Sequence, residues 1–272
     1  MSEAAGTRFA FGANWQSFAA AIGSERIAEA EAGLRRLFPA GGIEGSRFLD
    51  IGCGSGLFSL AAVRLGAKKL LAVDLDPQSV ETTRKTLSRY APGGNWDVQN
   101  ISVFNLNSEK QGVFDVVYSW GVLHHTGAMY QAITKASTMV APGGMISLAL
   151  YGKTPFCGMW RVEKRIYSKS PKWVQKVIEA FYIMLVRIRL ALKGESLKQR
   201  REKYWKQRGM DTYHDMRDWL GGYPYESISP DEAMSFMRGL GFDQVRSFTE
   251  PCIGLLGAGC DEYSFTRTAT RR

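Results

Sequence analysis

Three closely spaced glycines constrain this chain more than any other feature. Gly52, Gly54 and Gly56 follow residues 48–51, which are apolar except for Asp50. Because glycine has no Cβ, the chain can turn sharply at these positions and its backbone can approach a ligand closely. The pattern predicts a buried strand, a glycine-rich loop and a helix, in that order.

An acidic residue at the end of the next apolar run indicates what the loop binds. Asp74 follows Gly56 by eighteen positions. At the tip of a second strand, a carboxylate can accept hydrogen bonds from both hydroxyls of a ribose. The two features together predict a nucleoside-containing cofactor.

The glycine spacing excludes two common nucleotide sites. A dinucleotide fingerprint, G-x-G-x-x-G counted from Gly52, places its third glycine at position 57, which is Leu57. A phosphate-binding P-loop needs a lysine directly after its last glycine, and none follows Gly56. Neither pyrophosphate nor a triphosphate is therefore the expected ligand.

The motif D-x-G-x-G-x-G of residues 50–56 resembles motif I of the class I S-adenosylmethionine-dependent methyltransferases. Residues 96–103, 114–127 and 141–145 resemble the third strand with its tip, the fourth strand with its loop, and the turn into the fifth strand. The resemblance implies an α/β fold with a Rossmann-like, seven-stranded, mostly parallel sheet and helices on both faces. It also implies an N-terminal helical cap and a helical insertion after the fifth strand.

The same resemblance implies S-adenosyl-L-methionine as cofactor and S-adenosyl-L-homocysteine as product. Asp50 and the glycine loop would hold the methionine moiety, Asp74 the ribose, and the tips of the second and third strands the adenine. Asn100 stands near where many relatives carry an acidic residue. The implied cofactor residues are Asp50, Gly52, Cys53, Gly54, Gly56, Asp74, Leu75, Ser102, Val103, Ser119 and Trp120.

Length and composition fit a single core with additional segments. At 272 residues and 45% hydrophobic content, the chain is short for two independent domains. We divide it into an N-terminal cap at 1–46, the cofactor-binding core at 47–151, an insertion at 152–228, and the last helix with closing strands at 229–272. Within the cap, the aromatic segment 9–18 either packs on the core or closes over the cofactor or substrate.

The insertion carries the positive charge of the chain. Residues 153–208 contain sixteen Lys or Arg and four Glu, a net charge of +12, against +9 for the whole chain. Apolar residues at three- and four-residue steps predict a helix over 171–193, with Lys172, Lys176 and Lys193 towards its other side. The apolar positions are Trp173, Val174, Val177, Ile178, Phe181, Leu185, Ile188 and Leu192.

This helix has three interpretations. Its apolar side packs on the core as a substrate lid, or the helix lies on an anionic membrane surface, or it binds nucleic acid, in that order of preference. A membrane span is excluded because Arg187 and Arg189 interrupt an apolar stretch that is already shorter than the ~20 residues required.

The end of the insertion resembles a subgroup of small-molecule methyltransferases, similar in the core to the ubiquinone-biosynthesis O-methyltransferases. The resemblance rests on R-G-M, H-D and D-W-x-G-G-Y-P-Y-E between residues 208 and 226, and on C-D-E-Y at 260–263. Aromatic residues are predicted as walls of the substrate pocket: Trp15, Trp219, Tyr223 and Tyr225.

A hydroxyl acceptor must lose its proton, so a nearby His or carboxylate would help. We assign this role to His125, His214, Asp215 and Glu226. His125 follows the fourth strand, where it either acts on the acceptor or only fixes its loop, and its neighbour His124 points inward. Glu226 orients a hydroxyl or caps a turn. We predict no metal, since no carboxylate cluster stands out.

The sequence therefore predicts O-methylation of a small or lipid-linked metabolite. N-methylation of a small amine, and a nucleic-acid-binding protein that retains this fold, are the alternatives. Four cysteines without metal-ligand spacing indicate reduced thiols, and no secretory signal is evident. We expect a cytoplasmic protein, with attachment to the inner face of a membrane as the alternative.

Overall fold

The computed structural model describes residues 11–19, 22–192, 194, 212–249 and 259–268. Their strands form one seven-stranded sheet with the order β3-β2-β1-β4-β5-β7-β6, in which only β7 is antiparallel to its neighbours. The strands are β1 Arg47–Ile51, β2 Lys69–Asp74, β3 Trp96–Asn100, β4 Phe114–Trp120, β5 Val140–Tyr151, β6 Phe242–Phe248 and β7 Cys260–Arg267. The predicted Rossmann-like fold class is confirmed.

Helices connect the strands and extend beyond them. The described helices are α1 Phe11–Ala19, α2 Ser24–Leu37, α3 Leu57–Arg64, α4 Pro77–Tyr90, α5 Ser108–Gln111, α6 Met129–Ser137, α7 Cys157–Lys169, α8 Lys172–Leu192, α9 Thr212–Gly221 and α10 Pro230–Gly239. Short 3-10 turns at Val103–Asn105 and Leu123–His125 follow β3 and β4.

Local sequence signals place several helix ends. Asp76 caps α4 by accepting a hydrogen bond from the Gln78 amide at 2.8 Å, and Pro77 follows it at the first helical position, where no N–H is needed. Ser229 and Glu232 form a reciprocal capping box at the start of α10. Short local signals therefore determine both helix starts.

The predicted turn into the fifth strand is wrong. Residues 141–144 lie inside β5, which already pairs with β4 at Val140 and Phe114. The register shifts before Val116, and Gly143 adopts a positive φ of 74°. The Pro-Gly-Gly sequence is therefore accommodated as an irregularity within the ladder.

The insertion leaves and rejoins the sheet at one place. Gly152 forms a parallel bridge with Ile228, and the Ile228 amide donates to the Tyr151 carbonyl at 3.0 Å. Tyr151, at the end of β5, belongs to an aromatic cluster at this edge of the sheet. Its buried members are Tyr151, Trp160, Tyr167, Met216, Trp219, Leu220 and Tyr225. This cluster joins α7 and α9 to the carboxyl edge of the sheet.

The helix predicted over 171–193 is present as α8, but its apolar side is only partly covered: Ile178 packs against the aromatic cluster. Trp173, Val177, Phe181, Ile188 and Leu192 are 50% to 84% exposed instead of covering the core. The helix packs through a different strip that contains buried Glu179 and Leu190. Lys193 lies outside the described residues.

Candidate active site

The glycine loop is tightly built. The amides of Gly52 and Cys53 both donate to the Val73 carbonyl, at 2.8 and 3.1 Å, which ties the loop to β2. Gly52, Gly54 and Gly56 have φ angles of +81°, +52° and +78°, a region that glycine adopts freely. The loop therefore needs glycine for its conformation.

Space is equally restricted around two of these glycines. A Cβ placed on Gly52 would lie 2.9 Å from the Val122 Cβ and closer still to its methyl groups. A Cβ on Gly56 would lie 2.9 Å from the Thr83 Cα. The loop is thus packed between the turn after β4 and helix α4.

Asp74 lies at the predicted position, at the tip of β2. Its two carboxylate oxygens accept hydrogen bonds from the amides of Gly54 at 3.1 Å and Asp76 at 2.9 Å. Burial raises the pKa of Asp74, while these two hydrogen bonds oppose the rise. Since a carboxylate can accept about four hydrogen bonds, each oxygen retains capacity for a ribose hydroxyl.

Asp50 is buried beneath the loop. Its carboxylate accepts a 2.5 Å hydrogen bond from the Ser59 hydroxyl. Burial raises the pKa of Asp50 to about 7, although the Ser59 hydrogen bond lowers it and the Asp74 charge raises it further. The site therefore contains a carboxyl group that is only partly ionised near neutral pH.

The predicted adenine side has an apolar wall and a fixed edge. Leu75 is 51% exposed beside Asp74. Asn100 donates to the carbonyls of Asp74 and Leu75 at 2.9 Å each, which fixes the tip of β2. Ser102 caps the 3-10 turn, and Val103 is buried within it. An exposed leucine next to the carboxylate that is predicted to bind ribose suits one face of a purine.

The side chains of Ser119 and Trp120 make contacts within the protein. Ser119 donates to the Ile51 carbonyl at 3.0 Å. Trp120 stacks on Phe58 with a centroid distance of 6.5 Å and donates to Glu262 at 2.8 Å. These contacts hold both side chains within the fold, and the assignment of Ser119 and Trp120 to the methionine end of the cofactor stays a prediction.

Trp15 lies on the cofactor loop. Carbons of its indole are 3.2 to 3.3 Å from the position that a Gly54 Cβ would take. Helix α1 is held there by the Gly12 amide, which donates to Asp76 at 2.8 Å. Trp15 therefore covers the glycine loop and does not belong to the cluster that contains Trp219 and Tyr225.

The two histidines after β4 lie against this aromatic cluster. His124 is fully buried, with its ring 4.0 Å from the Tyr151 ring and 4.3 Å from the His125 ring. Burial holds the pKa of His124 well below its usual value. Both residues therefore stand beside the end of β5.

His125 is neutral at physiological pH. Burial lowers the pKa of His125 to about 4 and outweighs its hydrogen bonding to the Pro224 carbonyl, while the Lys164 charge lowers it further. The Nδ1···O distance to Pro224 is 2.9 Å. Because a carbonyl only accepts, Nδ1 carries the proton in this bond, and the Gly222 carbonyl is a second hydrogen-bond partner of the ring that raises its pKa.

Glu226 caps a helix. Its carboxylate accepts a 2.9 Å hydrogen bond from the Met129 amide at the start of α6. Its own amide donates to the His124 carbonyl at 3.0 Å. Burial raises the pKa of Glu226 in spite of these contacts. The carboxylate thus joins the end of the insertion to the loop after β4.

The other predicted residues are dispersed. Trp219 and Tyr225 are buried in the aromatic cluster, with ring centroids 6.3 Å apart, whereas Tyr223 is partly exposed. His214 and Asp215 lie on α9, but their side chains are outside the described residues. The structure therefore brings His125 and Glu226 to one edge, near the end of the insertion.

Lys164 is a site residue that the sequence reasoning missed. It is fully buried, donates to the Trp219 carbonyl, and places its ammonium 3.5 Å from the centroid of the Trp219 ring. A signal was present, because Lys164 lies four residues after Trp160 and three before Tyr167, on the apolar side of α7. This spacing places Lys164 on the side of α7 that carries both aromatic residues.

The described residues contain neither a metal-binding cluster nor a membrane-spanning helix. No group of three His, Cys, Asp or Glu side chains in these ranges is arranged to hold a metal ion. None of the described helices combines the length and the apolar character that crossing a membrane requires.

Comparison with known proteins agrees with this geometry. Residues 48–144 match the family model described as Methyltransferase domain. The matched segment is therefore similar to methyltransferase domains, in agreement with the resemblance to the class I S-adenosylmethionine-dependent methyltransferases. It contains the glycine loop, Asp74 and the two histidines after β4.

The methyltransferase domain has curated relatives. It is similar to the ubiquinone biosynthesis O-methyltransferase of Xanthomonas axonopodis pv. citri (strain 306), with 37% identity over 120 residues. This match covers 44% of the present chain and 47% of the relative, so the chain spans about half the length of the curated protein. A protein from Xanthomonas euvesicatoria pv. vesicatoria (strain 85-10) with the same name is 35% identical over 113 residues, or 42% and 46% of the two chains.

Solved structures show the same fold. Magnesium protoporphyrin IX methyltransferase from Synechocystis PCC 6803 with bound S-adenosylmethionine has a TM-score of 0.53 and 13% identity, covering 90% of this chain and 80% of that one. N-methyltransferase NodS from Bradyrhizobium japonicum WM9 with S-adenosylhomocysteine has a TM-score of 0.54 and 12% identity, covering 95% and 99%. At these identities the likeness concerns the fold alone.

Proposed function

We propose that this chain transfers a methyl group from S-adenosylmethionine to an oxygen atom of a small or lipid-linked acceptor. One observation carries the proposal. The glycine loop with Asp50 and Asp74 lies at the carboxyl edge of the sheet, and His125 with the aromatic cluster follows the next strand on the same edge.

The residues present fit the cofactor. The glycine loop and Asp50 would hold its methionine end, Asp74 its ribose and Leu75 its adenine. Bound there, S-adenosylmethionine supplies an electrophilic methyl group, and the product sulfur is a neutral thioether that needs no acid. The protein therefore has to position the acceptor, and positioning alone contributes about 7–11 kcal/mol to such reactions.

His125 is our candidate for the general base. With a hydroxyl acceptor bound beside it, the His125 imidazole would take up the hydroxyl proton. A pKa of about 4 makes the imidazole neutral throughout the physiological range, though weakly basic. His214 and Asp215 remain candidates on α9, while Glu226 is better assigned to capping because its carboxylate already binds the Met129 amide.

The aromatic cluster supports an apolar, planar acceptor. Tyr151 links it to the histidines, with its ring 5.2 Å from that of His125. Trp219 and Tyr225 are buried behind Tyr151, so they shape the wall, and the partly exposed Tyr223 is the candidate for direct contact. The name of the curated relatives, O-methyltransferase, supports oxygen as the methylated atom.

Isothermal titration calorimetry with S-adenosylhomocysteine tests the cofactor site. Replacing Asp74 by alanine removes the acceptor for both ribose hydroxyls, and charged hydrogen bonds contribute about 1.5–3 kcal/mol each. We expect affinity to fall at least about tenfold. Asp97→Ala is the matched control, since Asp97 is exposed on neighbouring β3. Equal affinities for Asp74→Ala and the control would refute the ribose assignment.

A product analysis tests the acceptor atom. The protein is incubated with isotope-labelled S-adenosylmethionine and a cell extract, and the labelled product is purified and analysed by NMR. The chemical shift of the methyl carbon distinguishes an O-methyl from an N-methyl group. An N-methyl product would replace this proposal by methylation of an amine.

A further inference from the structure

Helices α7 and α8 leave a large apolar surface exposed. On α7, Met159, Val162 and Ile166 are 46%, 58% and 55% exposed. On α8, six side chains are between 45% and 84% exposed: Trp173, Val177, Phe181, Met184, Ile188 and Leu192. We call these nine residues, together with the exposed cations of the two helices, the α7–α8 face.

The apolar residues of α8 form one continuous line. Successive members are three or four positions apart, which is the spacing of one helix face. From Trp173 to Leu192 this line is about 28 Å long at 1.5 Å per residue. Patches of exposed apolar surface this extended mark interaction sites in soluble domains.

The charges on the same face all have one sign. The exposed charged residues of α7 and α8 are Arg161, Arg165, Lys169, Lys172, Lys176 and Arg187. The two acids of these helices are not among them: Glu163 is partly buried, and Glu179 is buried with Tyr167 and Arg217. Five of the six cations directly precede an exposed apolar residue, as Lys172 precedes Trp173, so charge and apolar surface are interleaved.

We propose that the α7–α8 face docks on an anionic phospholipid bilayer. Aromatic and aliphatic residues can enter the headgroup region while flanking Lys and Arg contact the phosphates. A second copy of the chain would bring the same cations together. Nucleic acid would neutralise the cations but leave the apolar line exposed to water. An anionic lipid surface satisfies both components.

The position of the face connects it to the candidate site. The opposite side of α7 carries Trp160, Lys164 and Tyr167, which are buried with Trp219 in the aromatic cluster. A docked membrane would thus lie one helix away from the wall assigned to the acceptor. The delivery of a lipid-borne acceptor rests on the proposed function, whereas docking itself does not.

Vesicle co-sedimentation tests docking without cofactor or activity. The full chain is mixed with vesicles of phosphatidylcholine alone or with phosphatidylglycerol added. We expect sedimentation with the anionic vesicles, weakened by salt. In Lys172→Glu/Lys176→Glu, the partition coefficient should fall at least about 30-fold, because each cation near an anionic surface contributes about 1 kcal/mol. Circular dichroism verifies that each variant is folded.

A matched control separates local docking from net charge. Lys68→Glu/Lys69→Glu makes the same change in charge at the opposite, amino-terminal edge of the sheet, where both residues are exposed. It should lose much less affinity. If this control loses as much as the α7–α8 variant, or if the folded wild-type protein does not sediment with anionic vesicles, the proposal is wrong.

The apolar contribution has its own readout. Trp173 is 71% exposed, so its fluorescence should shift to the blue and be quenched by brominated lipid on docking. Trp173→Phe should lose most of this signal and keep most of the binding. An unchanged spectrum in bound wild-type protein would overturn insertion of this face. If duplex DNA or RNA of equal charge displaces the protein from vesicles completely, the face is a polyanion site and the lipid proposal fails.

Discussion

Replacing Gly52 by alanine tests the packing of the cofactor loop most sharply. Two costs are expected. The φ of +81° puts alanine in the left-handed region, at about 1–2 kcal/mol. The new methyl group would also meet Val122, whose Cβ is 2.9 Å away and whose methyl carbons are nearer. Overpacking of this kind costs about 1–3 kcal/mol. The sum is a loss of about 2–5 kcal/mol in the free energy of unfolding.

Two further variants separate these costs. Gly41 has a φ of +75°, and no atom lies within 4 Å of the position that its Cβ would take, so Gly41→Ala carries only the backbone cost. Val122→Ala removes the methyl groups that meet the new side chain. In the double variant with Gly52→Ala, part of the steric cost should disappear, giving a favourable coupling of about 1–3 kcal/mol.

Urea denaturation followed by circular dichroism measures the wild-type protein and all four variants. The steric argument requires Gly52→Ala to be clearly less stable than Gly41→Ala, and requires coupling to Val122. If the two glycine variants lose the same free energy and the cycle shows no coupling, Val122 does not close on the loop in solution. The arrangement of the glycine loop against the turn after β4 would then be refuted.

Three further measurements follow from the site. His125 has a pKa of about 4 in the fold against about 6.5 when unfolded, so the unfolded chain binds more protons between these values; stability gained from the neutral ring is present above pH 6.5 and is lost as pH falls towards 4. The free energy of unfolding should therefore change less between pH 6.5 and pH 4 in His125→Gln than in the wild-type protein. The difference is at most about 3 kcal/mol, and urea denaturation at several pH values measures it. Glu226→Ala should destabilise the protein by about 1 kcal/mol, while Glu226→Gln, which keeps an acceptor for the start of α6, should lose less in the same assay; equal losses would contradict the capping role. Burial raises the pKa of Cys157, but hydrogen bonds, first that from Ser227, more than offset it and lower the pKa, so iodoacetamide labelling followed by mass spectrometry should be slower in Ser227→Ala than in the wild-type protein.

Local sequence patterns predicted the cofactor edge well, because each of its parts is determined by a short segment. The strand, the three glycines and the following helix are contiguous, and Asp74 ends the adjacent strand. Parallel strands joined by helices place their carboxyl ends on one edge. The position of Asp74 beside the glycine loop therefore follows from chain order and topology.

Side-chain direction on β4 was harder to predict. Ser119 and Trp120 were assigned together to the cofactor, although neighbouring residues of a strand point to opposite faces. Trp120 lies on the same face as Val116 and Tyr118, in the apolar cluster below α2 and α3. The alternation was visible in the sequence, but the partner Glu262 is 142 residues away and no local pattern indicates it.

The insertion was the least predictable part. Helical periodicity identifies an apolar side but not what covers it, and α8 leaves that side exposed. Lys164 is the opposite case, a charged residue that is buried. Its charge predicts exposure, yet aromatic rings and the Trp219 carbonyl surround it. Both outcomes depend on contacts between distant segments, which residue type and spacing do not determine.

Helix α1 shows how the two ends of the site are linked. Trp15 lies against Gly54, and α1 also contacts α9 of the insertion. A ligand that packs on this side of Gly54 has to move the indole. Hydrogen bonds from Gly12 to Asp76 and between Gln78 and Gln16 hold α1 to α4, each contributing about 1 kcal/mol. Breaking these bonds therefore costs only a few kcal/mol, which the binding of a cofactor can offset. Since α1 touches α9, which carries His214 and Asp215, such a movement would also change the contacts between these two helices.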